Sequence, residues 1–189
     1  MTVTDIINDA RVAHVRELKT EVSRLKAELS AAHAANEEWE RHFALALAAA
    51  RDVDRLPSTG RIILIDGWNV VFNSRFKPDR ADAQSRRQSR AQVVDFVREY
   101  ALANPADFIW LVFDGKDDNS EESANLRVSY TGGEGAHRAD RLIVDYVRLM
   151  RLTGRVARVT AITNDKDFIA ELTRLGAQVE NTREFIDAH

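Results

Sequence analysis

Aspartates recur where apolar runs of the sequence end. The run "ILID" ends at Asp66, "LVFD" at Asp114 and "AITND" at Asp165, and each run is typical of a buried β-strand. Two more aspartates, Asp140 and Asp167, stand at the start of predicted helices. Like charges in a cleft repel and raise one another's pKa. Carboxylates gathered at one place would therefore need a cation to neutralise them.

The edge of a sheet where parallel strands end is where such side chains can meet. In an open α/β sheet this edge forms the ligand crevice, and the helices that follow the strands begin beside it. Oxygen ligands without cysteine select a hard ion, Mg²⁺ or Mn²⁺. Such an ion stabilises charge on a phosphate and lowers the pKa of an attacking water. The pattern therefore predicts a metal site for phosphoryl chemistry.

Each aspartate also has a structural explanation. Asp165 can cap the helix that follows it, and Asp167 is favoured by the dipole of that helix. Asp114 can cap a turn, and Asp140 can be an ordinary acidic residue of a first helical turn. Asp66 differs, because we expect no helix directly after its strand, at "DGWN", for it to cap. The coincidence of all five favours the metal site.

The elements that would position these residues follow from the apolar pattern. Pro57 and Gly60 interrupt the chain, and beyond them short apolar runs alternate with amphipathic stretches. Strands that read as nearly continuous apolar runs indicate a parallel sheet covered on both faces. We therefore expect a long helix over residues 1–55, a linker at 56–60, and a three-layer α/β domain with a mostly parallel sheet at 61–189.

The first 55 residues contain neither proline nor glycine, and their apolar residues recur at spacings of three and four. This period predicts a helix with a coiled-coil face, on which Val22 and Leu25 occupy core positions. Glu21 would meet Lys26 of a parallel partner, whereas an antiparallel pair would bring glutamates together. We therefore expect a parallel homodimer through residues 12–47.

Two alternatives to self-association remain for this helix. It can bind a different protein partner through the same face. It can also fold onto its own domain, with the alanine-rich stretch "FALALAAARDVDRL" as the docking face.

Composition limits the classes of protein. The chain has 189 residues, 44% hydrophobic and 30% charged, with a formal net charge of −3, which suits one medium domain plus an appendage. Without cysteine, disulfides and thiolate metal sites are excluded, and we expect a cytoplasmic protein. The sequence contains no apolar run of about 18 residues, so we do not expect it to bind a membrane. The small net charge leaves room for a local basic surface.

The segments "LIDGWNVVF", "LVFDG", "RADRLIVDYV" and "ITNDKDF" occur in this order. With them the chain resembles the NYN domains of the PIN-like nuclease superfamily, in particular the bacterial YacP-like group, over roughly residues 61–189. The resemblance implies an endonucleolytic, metal-dependent ribonuclease whose acids bind Mg²⁺ or Mn²⁺ and activate water. It implies these roles: principal ligands Asp66, Asp140 and Asp165, further ligands or water-orienting groups Asp167 and Asp114, and a turn-fixing or phosphate-contacting Asn69.

The sequence departs from the family pattern at two positions. Trp68 stands where tyrosine is commoner, and His137 stands where the YacP-like group usually has glutamate, three residues before the helix aspartate. Glu134 is an alternative donor. The histidine keeps open a second hypothesis, an RNA-binding or scaffold protein with weak or no catalysis. A haloacid-type phosphatase is disfavoured, because "DGWN" lacks its second aspartate.

A basic segment follows the first strand. It predicts an electrostatic track for single-stranded or loop RNA, and the ordinary alternative is a solvated helix face. Trp68, Phe72 and Phe76 either stack on unpaired bases or belong to the core. The basic residues predicted to contact RNA are Arg75, Lys77, Arg86, Arg87, Arg90 and, at the start of a later helix, Arg138.

Overall fold

The computed structural model describes residues 3–55, 58–79, 82–115, 120–132 and 137–188, with side chains from residue 16 onwards except at 38 and 42. Its helices are α1 (Val3–Asp54), α2 (Gly67–Asn73), α3 (Ala83–Ala103), α4 (Arg138–Leu152), α5 (Lys166–Leu175) and α6 (Thr182–Asp187). Its strands are β1 (Ile62–Asp66), β2 (Phe108–Phe113), β3 (Glu121–Glu122), β4 (Leu126–Tyr130), β5 (Val159–Ile162) and β6 (Gln178–Glu180).

The strands form one sheet in the order β3-β4-β2-β1-β5-β6. Neighbouring strands run parallel except for β3 and β4, which are antiparallel. The chain moves outward from β1 through β2 to β4 and then returns to the other side of β1 for β5. Strand order therefore reverses between β1 and β5, which places a crevice at their carboxyl ends. The predicted mostly parallel α/β sheet is confirmed.

Helices cover both faces of the sheet, because successive side chains of each strand point to opposite sides. Ile62 and Leu64 of β1 lie on the face covered by α4, α5 and the end of α1. Ile63 and Ile65 lie on the face covered by α2, α3 and α6. All four side chains are buried, so the strand reads as one apolar run.

The last turns of α1 belong to the core of the α/β domain. Ala46, Ala49 and Val53 are buried against the same face as α4 and α5, since their small side chains allow the helix to lie close. Asp52 is also buried, and its carboxylate is 2.7 Å from the guanidinium of Arg127 on β4. This ion pair ties the end of α1 to the sheet.

The chain divides into two compact units at a point inside α1. One unit is Met1–Arg41 and the other is His42–His189. The α/β unit therefore begins upstream of the linker expected at 56–60. The reason is the apolar face of the last turns of α1, which packs on the sheet.

The predicted heptad face lies at the surface of the first unit. Its apolar side chains from Leu18 to Leu29 are 49–57% exposed. Among the described residues, none of the helices is both long and apolar enough to span a membrane.

Candidate active site

Asp66 ends β1 and begins α2 within two consecutive residues. Its Oδ1 accepts a hydrogen bond of 3.1 Å from the Asn69 N–H, which makes it the N-cap of α2. The expectation that no helix follows this strand is therefore wrong. The segment "GWNVVFN" has weak helix propensity, and it is helical because Val70 and Val71 are buried against the sheet. A Cβ at Gly67 would lie 2.4 Å from the ring of Phe113, so only glycine fits directly after the acid.

Asp165 and Asp114 also combine a strand end with a helix start. Oδ1 of Asp165 accepts from the N–H groups of Asp167 and Phe168 at 3.0 and 3.1 Å and caps α5. Oδ1 of Asp114 accepts from the Ala139 N–H at 2.6 Å, in the first turn of α4. Each of these acids can therefore hold the start of a helix and also belong to a metal site. These bonds use Oδ1, so Oδ2 stays outside them.

Asp140 lies in the first turn of α4 and contacts the residue that departs from the family pattern. Its Oδ2 is 2.9 Å from Nδ1 of His137. Among the described residues other than glycine, His137 alone has a positive φ, 62°. The hydrogen bond to Asp140 raises the pKa of His137, and burial raises the pKa of Asp140. Glu134, the alternative donor, lies outside the described residues.

Four of the five predicted acids act on one another electrostatically. Asp66 is 8% exposed, and burial raises its pKa to about 7, with further contributions from the charges of Asp140, Asp114 and Asp165. These side chains come from the ends of β1, β2 and β5 and the start of α4. Asp167 is instead an exposed residue at the rim of the adjoining groove.

The donor set fits a hard divalent cation in chemistry and in charge. It consists of carboxylates, which Mg²⁺ and Mn²⁺ prefer. Burial first, and then the charges of the neighbouring acids, raise the pKa of Asp66, and a bound cation would offset both effects. Within the part of the chain that the structure describes, no three histidine or acidic side chains already have the spacing of a metal site. The four carboxylates are gathered, but their ligating geometry is not preformed.

A groove of about 520 Å³ leads away from the acids between α4 and α5. Asp140, Asp165 and Asp167 line it together with Arg141 and Arg148. Arg148 is paired there with Asp145 and Glu171. Sequence reasoning missed these two arginines. Helical spacing from His137 could have found them, since residues four and eleven positions later lie on the same face of α4.

The predicted basic residues lie in several different places. The guanidinium of Arg75 stacks over the rings of Phe76 and Phe96, at 5.3 and 5.5 Å from their centres. Arg90 lies 5.2 Å from the ring centre of Tyr130. Arg87, Arg90 and Tyr130 line a second groove, separate from the one between α4 and α5.

Three further residues complete the predicted basic set. Arg86 donates to the Asp82 carbonyl at 3.4 Å, and Lys77 is exposed. Arg138 is 6% exposed, so it lies inside the protein and not on an RNA-facing surface. The reason is its place at the buried start of α4, beside the buried Ala139.

Asn69 and the aromatic residues connect α2 to the site. Oδ1 of Asn69 accepts from the Asn164 N–H at 2.9 Å, which ties α2 to the loop between β5 and α5. Trp68 is half-buried, and its Nε1 donates to the Asp114 carbonyl at 3.0 Å. Phe76 is half-buried against Phe96, whereas Phe72 is exposed.

Comparison with known proteins identifies the fold family. The sequence-family model of the YacP-like NYN domain matches residues 63–188 of this chain. The crystal structure of Rae1 (YacP) from Bacillus subtilis, in a tryptophan-to-leucine variant, is similar in fold, with a TM-score of 0.53 and 20% identity over 68% of this chain and 74% of that one. No curated protein matches. The chain therefore belongs to the family of YacP-like NYN domains, whose fold is nuclease-like.

Proposed function

We propose that the protein is a metal-dependent ribonuclease that cuts single-stranded or loop RNA endonucleolytically with Mg²⁺ or Mn²⁺. One observation carries this proposal. Four carboxylates from separate parts of the chain meet where β1, β2 and β5 end, and burial together with the charges of the other three raises the pKa of Asp66 to about 7. Helix capping explains each acid singly, but the repulsion among them lowers the stability of the fold, whereas a phosphodiesterase needs such a cluster to hold a cation.

The principal ligands in this proposal are Asp66, Asp140 and Asp165. When bound, the ion supplies stabilisation of charge on the phosphate and a lowered pKa for the attacking water. Asp114 holds the start of α4 through the Ala139 N–H and so positions Asp140. Asp167 lies at the rim, where it would serve as an outer ligand or orient water.

Asn69 positions the loop that carries Asp165, and the basic residues position the RNA. Asn69 fixes the loop that carries Asp165, because it accepts a hydrogen bond from that loop. The phosphate backbone of RNA would be held by the half-buried Arg90 and by the exposed cations Arg75, Lys77, Arg86, Arg87 and, between α4 and α5, Arg141.

The test is cleavage of an unstructured RNA by the full chain with Mn²⁺, Mg²⁺ or a chelator. We expect metal-dependent cutting that Asp66→Asn reduces at least about a hundredfold, since loss of a ligating group removes stabilisation present at the transition state. Asp187→Asn, at the exposed end of α6, is the matched control and should cut normally. Equal cutting by wild type and Asp66→Asn would refute the proposed centre.

A second candidate function is RNA binding without turnover, in a scaffold role. His137, where the family resemblance implies glutamate, favours it, as does the absence of a preformed metal geometry among the described residues. Under this candidate the wild-type protein binds RNA but leaves it intact with every divalent metal tried. Metal-dependent cutting that is lost in Asp66→Asn would exclude it.

For the N-terminal helix we propose a parallel homodimer through the heptad face that begins at residue 12. The expected end at residue 47 lies too far along the helix, because Ala46 is buried in the α/β core. The support is the row of about half-exposed apolar side chains from Leu18 to Leu29, with Glu21 and Lys26 at complementary flanking positions. Sedimentation of the full chain should give a dimer mass for wild type and a monomer mass for Leu25→Asp. Ala27→Glu, on the outer face of the heptad, is the control and should remain dimeric.

If wild type is monomeric, the same face is instead available to a different protein partner. Removing the helix at residue 58 would be a poor test of either occupant. It would also remove Ala46, Ala49 and Val53, which are part of the α/β core.

A further inference from the structure

Two aromatic rings on α2 form a stacked pair beside the acidic cluster. Trp68 and Phe72 are four residues apart and therefore share one face of the helix. Their ring centres are 5.6 Å apart and their planes differ by 20°. Phe72 is 44% exposed, whereas Val70 and Val71 of the same helix are fully buried. A single exposed phenylalanine is ordinary, and stacked ring pairs are a preferred arrangement. This pair differs in its position, because its helix follows Asp66 directly in the chain and Trp68 is bonded to Asp114.

The ring of Trp68, the less exposed of the two, is held in a fixed orientation. Trp68 donates its Nε1–H to the Asp114 carbonyl at 3.0 Å, and its ring packs edge-to-face with that of Phe113, with ring centres 5.6 Å apart and planes at 76°. Phe113 stacks in turn on Tyr130 at 5.6 Å and 16°. The stacked pair of Trp68 and Phe72 is therefore anchored at the end of β2, where Trp68 contacts Asp114 of the carboxylate cluster.

We infer that the exposed ring of Phe72, supported by Trp68, is a stacking site for one unpaired base of the RNA next to the phosphate that is cut. This inference rests on the proposed function and adds its substrate preference. The faces of bases are covered by neighbours inside a duplex but are accessible in single strands and loops. An exposed aromatic ring accepts any base, because every base has a π-face.

The nearby cations suit the backbone of such a strand. Arg90 lies over Tyr130, the last ring of this aromatic row, and Arg87 lines the same groove. Phe72 stands at one end of this row and Tyr130 at the other. The two guanidinium groups would therefore hold the backbone of nucleotides beyond the one that stacks on Phe72. Stacking therefore favours an unpaired nucleotide at the acids, and Phe72 is the residue that determines this preference for single strands over duplexes.

The test is a binding cycle with full-length protein in chelator, where no divalent metal supports cleavage. The probes are an unstructured RNA oligonucleotide and a set of versions that each lack one base. Wild type should bind the versions that lack the stacked base roughly 5- to 100-fold more weakly, and Phe72→Leu should lose a similar factor for the intact RNA. Phe72→Leu should show no further loss when that base is missing.

Matched variants separate stacking from general damage. Phe72→Tyr keeps the ring and should bind as wild type does. Leu152→Ala removes a side chain that is 85% exposed at the end of α4 and should leave binding unchanged. If Phe72→Leu binds like wild type, or loses equally for every oligonucleotide, the stacking site is refuted.

Failure of this inference can be distinguished from failure of the proposed function. Metal-dependent cutting without any coupling between Phe72 and a base would remove the stacking site alone. Coupling without cutting would remove the nuclease function and keep the stacking site. Absence of RNA binding would overturn the stacking site outright.

Discussion

Substitution of Asp66 by asparagine is expected to stabilise the fold while removing its proposed function. The carboxyl is 8% exposed at the end of β1, and burial raises its pKa to about 7 from an ordinary 3.8. Asparagine has nearly the same shape and can still accept the hydrogen bond from the Asn69 N–H, as an equally good N-cap. The variant therefore removes the buried charge but keeps the local structure.

The magnitude follows from the two pKa values. Between pH 3.8 and about 7 the folded protein holds a proton on Asp66 that the unfolded chain has released. Stability contributed by this residue is therefore greatest below the unfolded pKa and falls as the pH rises to the folded pKa. The full difference corresponds to about 4 kcal/mol, because one pKa unit is worth about 1.4 kcal/mol.

The assay is urea unfolding followed by circular dichroism, from about pH 5 to about pH 8, in chelator. The free energy of unfolding of Asp66→Asn minus that of wild type should grow by roughly 2–3 kcal/mol over this range. Asp107→Asn is the matched control, since Asp107 is also 8% exposed but is bonded to the backbone and side chain of Arg61. It should lose about 1–3 kcal/mol. A pH-independent difference for Asp66→Asn, or a variant less stable than wild type at about pH 8, would refute the reasoning.

Binding of a divalent metal provides a second test of the charge on Asp66. A cation that binds the folded state alone stabilises it in proportion to the logarithm of its concentration above the Kd. Mn²⁺ should therefore raise the free energy of unfolding of wild type at about pH 8 and leave Asp66→Asn nearly unchanged. Equal stabilisation of both proteins would place the ion elsewhere.

Three further substitutions test other contacts. Asp52→Ala removes one of the two carboxylates that pair with Arg127, the other being Glu122 at 3.1 Å, and should lower the free energy of unfolding by roughly 1–3 kcal/mol, measured by urea unfolding. Gly60→Ala would place a Cβ 1.7 Å from the carbonyl oxygen of Ala106 and should cost on the order of 3 kcal/mol, visible as a lower melting temperature. Asn69→Ala removes the acceptor for the loop between β5 and α5 and should slow RNA cleavage roughly 10- to 100-fold, with little change in RNA affinity.

The strands and long helices could be predicted from the sequence because each has a strong local pattern. The apolar runs that end at Asp66, Asp114 and Asp165 are strands, and the acids after them meet at one edge as the parallel topology requires. Helix α2 could not be predicted, since its residues favour helix only when two valines are buried against the sheet. The structure also adds β3, a two-residue strand too short to leave a pattern.

Features that depend on tertiary packing were beyond the sequence. An arginine in "HRAD" looks like a surface cation, and its burial follows from how α4 begins. A phenylalanine in "NVVFN" looks like a core residue, and its exposure follows from which face of α2 meets the sheet. The sequence does not decide whether the alanine-rich stretch binds another chain or packs on its own domain. The contacts of the last turns of α1 show that it packs on its own domain.

The use of helix-capping oxygens in the acidic cluster has a practical consequence for spectroscopy. The amide protons of Asn69, Ala139 and Phe168 each donate to one of the clustered acids, although they belong to three different helices. Slow exchange of these three protons with solvent would report, without any substrate, that the acids are in place. Their chemical shifts should move together when a cation is titrated in, whereas the amide of Arg61, bonded to Asp107 at the opposite end of β1, should stay still.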